Sequence, residues 1–133
     1  NHKLTIETNA SLNIDFQEEY QKNILFSMSV KLSNSLEPLK KRVNKSTLTK
    51  ILENTKESYL KFVIGNDFLE NAIVEIEDIL KNIPQCEVYL MPLGDSSEAI
   101  DINSEKVVNL AIKYGFKYSD RLHIRIWNNK RGV

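Results

Sequence analysis

Five short apolar, β-rich runs recur along this chain, and the gaps between them carry helical spacing. The runs are Lys3–Thr8, Ile24–Lys31, Tyr59–Ile64, Glu87–Met91 and Arg121–Trp127. Between them Leu48, Ile51, Leu52 and Thr55 share one helical face, with a cap expected near Ser46. Leu69, Ile73, Ile76, Leu80 and Ile83 form a second stripe, capped at Asn66 or Asp67 and stopped by Pro84. Val107, Val108, Ala111 and Ile112 form a third, from near Ser104 to Gly115. A short helix is expected over Asp15–Gln21, and loops over Asn34–Asn44 and Leu93–Asn103. Strand–helix–strand alternation predicts right-handed crossovers and a mainly parallel sheet.

The runs also have two faces. Side chains alternate along a strand, so Ile24, Phe26, Met28 and Val30 oppose Leu25, Ser27, Ser29 and Lys31. In the last run Leu122, Ile124 and Ile126 oppose Arg121, His123, Arg125 and Trp127. A sheet covered on both sides gives near-continuous apolar strands instead. The expected fold is therefore α/β: a partial (β/α) barrel fragment of about five mainly parallel strands, with helices on the outer face only. A closed eight-stranded barrel needs roughly 250 residues; this chain has 133 and reads as a single domain over residues 1–133.

Charge narrows the partners. Lys+Arg and Asp+Glu balance at 18 each, which argues against bulk binding to nucleic acid or a membrane. The sequence contains no apolar run of bilayer-spanning length. One cysteine, Cys86, excludes an internal disulfide and points to a reducing, cytoplasmic setting. Beginning at Asn1, with strand-like sequence at once, the chain reads as a fragment or a processed product.

The polar residues of interest fall at strand C-terminal ends, where ligands bind in α/β arcs. Glu7-Thr8-Asn9 ends the first run and reads equally as a turn. Ser29 and Lys31 share a face and could hold a ribose or carboxylate, although a lysine reaching into solvent has the same signature. Met91 could pack on a flat ring or sit in the core. His123 lacks partners at zinc-ligand spacing, and Cys86 reads as a small buried filler. The acidic run Glu70–Asp78 reads as the wet face of its helix.

Four segments carry a family resemblance: IETNAS (Ile6–Ser11), SVKLSNS (Ser29–Ser35), VYLMPLG (Val88–Gly94) and KYGFKYSDRLHIRIWNNKRGV (Lys113–Val133). In this order and spacing the chain resembles the C-terminal part of the 7-carboxy-7-deazaguanine synthases, radical S-adenosylmethionine enzymes of queuosine and deazapurine biosynthesis. The resemblance implies a carbon–nitrogen lyase reaction on 6-carboxytetrahydropterin. An iron–sulfur cluster cleaves S-adenosylmethionine, the resulting radical abstracts hydrogen, the ring contracts and ammonia leaves, with magnesium assisting. By position, the resemblance assigns S-adenosylmethionine contacts to Ala10, Ser29, Val30, Lys31, Met91, Pro92, Leu93 and Gly94. It assigns substrate contacts to Thr8 and to the carboxylate of Val133. His123 and Arg125 are added from the face pattern of the last run.

Three departures stand out. Ala10 and Leu36 occupy positions where the family usually has glycine, and Val30 replaces a common proline. The C-x3-C-x2-C cluster motif does not occur in these 133 residues, so this polypeptide alone is expected to be inactive, its 4Fe-4S and Mg2+ ligands lying in an N-terminal part. The alternatives are another radical S-adenosylmethionine enzyme, such as a glycyl-radical activase, and a non-catalytic α/β binding or dimerisation module. Exposed sheet edges also allow a homodimer.

Overall fold

A computed structural model describes residues 2–130 and 132. Five strands, β1 (Thr5–Thr8), β2 (Leu25–Ser29), β3 (Tyr59–Ile64), β4 (Glu87–Pro92) and β5 (Lys117–Tyr118), form one sheet in the order β1-β2-β3-β4-β5. Every neighbouring pair is parallel. Consecutive order matters physically. With right-handed crossovers it sends each connection over the same side of the sheet, leaving the other side open.

The helices are α1 (Leu39–Arg42), α2 (Lys45–Asn54), α3 (Leu69–Leu80), α4 (Ser97–Tyr114) and α5 (Leu122–Trp127), and α2, α3 and α4 cover one side of the sheet. Phe26 and Met28 of β2, Leu60, Phe62 and Ile64 of β3, and Val88 and Leu90 of β4 form the buried face. They pack with Leu48 and Ile51 of α2, Ala72, Ile76 and Ile79 of α3, and Val107 and Ala111 of α4 in one core. Alternate strand residues on the other face are only partly covered, as β3 and β4 show. The expected one-sided α/β arc is therefore the observed fold. No helix among the described residues is long and apolar enough to cross a membrane.

The last run is the main correction. Arg121–Trp127 is not a strand: Leu122–Trp127 is helical, and the fifth strand lies earlier, at Lys117–Tyr118. Gly115, at φ 69°, closes α4 and turns the chain straight into β5. The Arg121 carbonyl then accepts the N–H groups of Ile124 and Arg125, which starts the helix. Ile124 alone of the three apolar residues is buried, whereas Leu122 and Ile126 are exposed. A two-residue alternation over so few positions also satisfies a helix that buries one side chain per turn.

Helix starts differ too. α4 begins at Ser97 rather than near Ser104, because Ser96 Oγ caps the Ala99 N–H at 3.2 Å. Ser104 lies within the helix and donates to the Ile100 carbonyl at 2.6 Å. The segment expected as the loop Leu93–Asn103 is thus mostly helix. Asn44, not Ser46, caps α2 through Thr47 N–H at 3.1 Å. α3 follows Phe68 without a side-chain cap, and α1 interrupts the loop expected over Asn34–Asn44. The short helix expected over Asp15–Gln21 is a 3-10 segment at Glu19–Asn23.

Candidate functional site

The C-terminal ends of β1, β2 and β4 lie along one edge of the sheet. At the end of β1, Thr8 Oγ1 accepts the Ala10 N–H at 3.0 Å, and Asn9 Oδ1 accepts the Ser11 N–H at 3.1 Å. Ala10 is buried with φ 52°, the left-handed region that favours glycine. At the end of β2, Ser29 lies on the open face, Val30 is buried, and Lys31 Nζ pairs with Glu37. Leu36 in the same loop also takes a positive φ, 60°, and is exposed. Both positions singled out as glycine replacements therefore carry left-handed backbone.

A buried arginine fixes the β2 loop. Arg42 donates through Nε to the Glu37 carbonyl at 2.7 Å and through Nη1 to the Lys31 carbonyl at 3.3 Å. Its Nη1 also lies 3.2 Å from Glu75 Oε2 on α3, and that same oxygen accepts the Ser33 N–H at 3.0 Å. Glu75 thus anchors the loop after β2, which corrects its assignment to the wet face of α3.

At the end of β4, Met91 shares the open face with Ser29, while Pro92 is buried beside Ile64. Leu93 donates its N–H to the Ile64 carbonyl at 2.8 Å and is partly exposed. Gly94 passes so close to α4 that a Cβ would stand 2.8 Å from the Ile100 nitrogen. Its carbonyl accepts from Arg121 Nη1 at 2.6 Å. Asn103 ties two strand ends together: its Oδ1 accepts the Asn66 N–H at 2.7 Å, and its Nδ2 donates to the Leu93 carbonyl at 2.6 Å.

Polar rows cross the open face beneath this edge. Glu7, Ser27, Tyr59 and Glu87 form one row; Ser29, Lys61, Tyr89 and Lys117 form the next. Lys61 Nζ reaches Glu7 Oε1 at 3.2 Å, and the Tyr59 and Tyr89 rings lie 4.6 Å apart. Lys117 pairs with Glu87 and lies over the Tyr89 ring. That pairing holds the Glu87 carboxyl below its ordinary range and the Lys117 ammonium above its own.

The helix at Leu122–Trp127 moves two expected site residues off the sheet. His123 is exposed on α5. Arg125 turns to α4, where it pairs with Asp101 and donates to Ser104 Oγ at 2.9 Å, and it also pairs with Asp120 in the segment that precedes α5. These partners hold its guanidinium above even the ordinary arginine value. Val133 lies outside the described residues. The structure thus gathers Thr8, Ala10, Ser29–Lys31 and Met91–Gly94 along one edge and places His123 and Arg125 on α5. Lys61, Arg42 and Asn103 escaped the sequence reading. The alternation Lys61-Phe62-Val63-Ile64 was the available signal for Lys61; Arg42 and Asn103 gave none, because their partners are distant in sequence.

Two clefts of about 680 and 660 Å3 lie at the opposite end of the strands, around Lys56, Glu57 and Leu25. That end of a β/α arc serves stability rather than chemistry. Cys86 lines the second cleft, and burial pushes its thiol up to about 11. A lone protonated thiol does not fit the multi-thiolate demand of an iron–sulfur cluster. No group of three or more metal-ligating side chains exists among the described residues.

No family model matches the chain, and no solved structure matches it. Curated relatives do. It is 30% identical over 95 residues to the 7-carboxy-7-deazaguanine synthase of Rhodopirellula baltica, covering 70% of this chain and 36% of that protein. It is 31% identical over 109 residues to the synthase of the same name from Pyrobaculum aerophilum, covering 80% and 45%. With the Halobacterium salinarum synthase it shares 26% identity over 148 residues, covering 94% and 54%. The chain spans about a third to a half of the length of the curated relatives it matches, and across that span it is similar in sequence to the 7-carboxy-7-deazaguanine synthases.

Proposed function

We propose that this chain is the cofactor- and substrate-contacting part of a radical S-adenosylmethionine enzyme that converts 6-carboxytetrahydropterin to 7-carboxy-7-deazaguanine. The observation that carries this reading is the left-handed backbone at Ala10 and Leu36. Both positions were marked as glycine in the resembling family, and both need the conformation that glycine adopts without strain.

In this reading Ala10, Ser29–Lys31 and Met91–Gly94 hold S-adenosylmethionine along the strand C-terminal edge. The turn at Ala10 and the close approach of Gly94 to α4 bring backbone, rather than side chains, up to the edge. Thr8 contacts the pterin. When bound, S-adenosylmethionine supplies the hydrogen-abstracting chemistry; this chain orients the donor and acceptor carbons and excludes water. The donor set here does not fit the iron–sulfur cluster, so no step is assigned to this chain's residues at one. Magnesium and cluster ligands belong to the rest of the enzyme in this proposal, and a cytoplasmic location follows from the pathway.

The test is turnover. The cluster-bearing enzyme containing this chain, supplied anaerobically with reductant, S-adenosylmethionine and 6-carboxytetrahydropterin, is expected to release 7-carboxy-7-deazaguanine, and the chain alone is not. An enzyme that leaves the pterin untouched but installs a radical on a partner protein would be an activase, and the proposal would fail.

A further inference from the structure

Lys61 stands at the middle of the open face, in register with Ser29 on one side and Tyr89 on the other. Its side chain is 14% exposed, yet its Nζ lies 3.2 Å from Glu7 on β1. β2 runs between β1 and β3, so the lysine stem must cross over β2. Ser27 and Ser29 are the residues small enough to let it pass. Ser27 is itself 1% exposed, and its Oγ has no hydrogen-bond partner. An unpaired hydroxyl at that depth is unfavourable unless something else satisfies it. Glu7, in contrast, is 74% exposed on its side chain and can swing away.

We infer that Lys61, with Ser27 and Ser29, forms a carboxylate-binding subsite on the open face of the sheet, and that Glu7 holds the ammonium until a ligand carboxylate displaces it. The chemistry is a charge-assisted bond from Nζ with hydroxyl donors beside it. With its Glu7 partner largely exposed, this cross-strand ion pair contributes little to stability. The Tyr59 and Tyr89 rings, tilted against each other at 4.6 Å, border the same part of the open face and offer aromatic surface to a flat ligand. The inference rests on the function proposed above, in which two carboxylates qualify: the methionyl group of S-adenosylmethionine and the carboxyl of the pterin.

Calorimetric titration of the protein separates them. The ligands are S-adenosylmethionine, 5′-methylthioadenosine, 6-carboxytetrahydropterin and tetrahydropterin without the carboxyl. Lys61→Met is expected to weaken one carboxylated ligand at least tenfold and leave its counterpart without a carboxylate unchanged, while Lys61→Arg retains most of the affinity. Glu7→Gln is expected to tighten the same ligand, because it removes the internal competitor. Equal affinities across both members of each pair in Lys61→Met overturn the subsite while leaving the proposed function standing. If Lys61→Met fails to fold in a thermal melt, an unchanged affinity in Glu7→Gln overturns the subsite instead. If the unsubstituted protein binds neither carboxylated ligand, the proposed function fails and the subsite falls with it.

Discussion

Arg42 and Glu75 meet at 3.2 Å, Nη1 to Oε2, although α2 and β3 separate their helices in sequence. Arg42 is 8% exposed, and the pair holds carbonyl and amide groups of the loop that follows β2. Glu75→Ala strands the guanidinium without its counter-charge. The expected loss is about 3 kcal/mol, read as a lower urea midpoint. Glu75→Gln keeps one acceptor and should lose less. Equal stability of Glu75→Ala and the unsubstituted protein would remove the anchoring role.

Leu36 is an exposed apolar side chain, 91% accessible, on left-handed backbone. Leu36→Gly should raise stability by about 0.5–1 kcal/mol, after the greater freedom of glycine in the unfolded chain is set against relieved strain. Leu36→Ala should gain nothing, since alanine keeps the Cβ. Ala10→Gly relieves the same strain but uncovers a buried position, so its gain should be smaller.

Gly94→Ala places a methyl 2.8 Å from the Ile100 backbone nitrogen. The end of β4 and the start of α4 must then part, at a cost of about 1–3 kcal/mol. A thermal melt reads the loss, and an unchanged transition would show that the strand end is looser than described.

Acid should weaken the protein through exposed ion pairs. Lys50 lowers the Asp15 carboxyl and Lys117 lowers that of Glu87. A depressed carboxyl stabilises the fold above its unfolded value and loses that contribution as pH falls through the folded one. The decline attributable to these groups therefore lies below about pH 4.5, and Lys117→Met should flatten part of it. Lys117, raised by Glu87, works in the opposite sense: its contribution is complete below its ordinary value and fades as pH climbs past it. Added salt should shrink both effects.

The arc was legible because its strands alternate and its helices carry clean stripes; Tyr59–Ile64 and the Leu69–Leu80 face are as the spacing predicts. Leu122–Trp127 was not, because six residues with every second one apolar do not distinguish a strand from a helix burying Ile124. Ser104 misled the start of α4 because a hydroxyl within a helix has the same composition as a cap. Of the site, the strand ends at Thr8, Ser29 and Met91 were readable from sequence order alone. The shielded Lys61 and the Arg42–Glu75 pair were not, since each depends on a contact between residues more than 30 positions apart.

Titration of the nitrogen-15-labelled protein with S-adenosylmethionine, followed by amide resonances, tests the ligand edge most directly. Shifts concentrated at Ala10, Ser29–Lys31, Leu93 and Gly94 are the predicted result. Shifts confined to the opposite strand ends, around Leu25, Lys56 and Glu57, or none at saturating ligand, would contradict it.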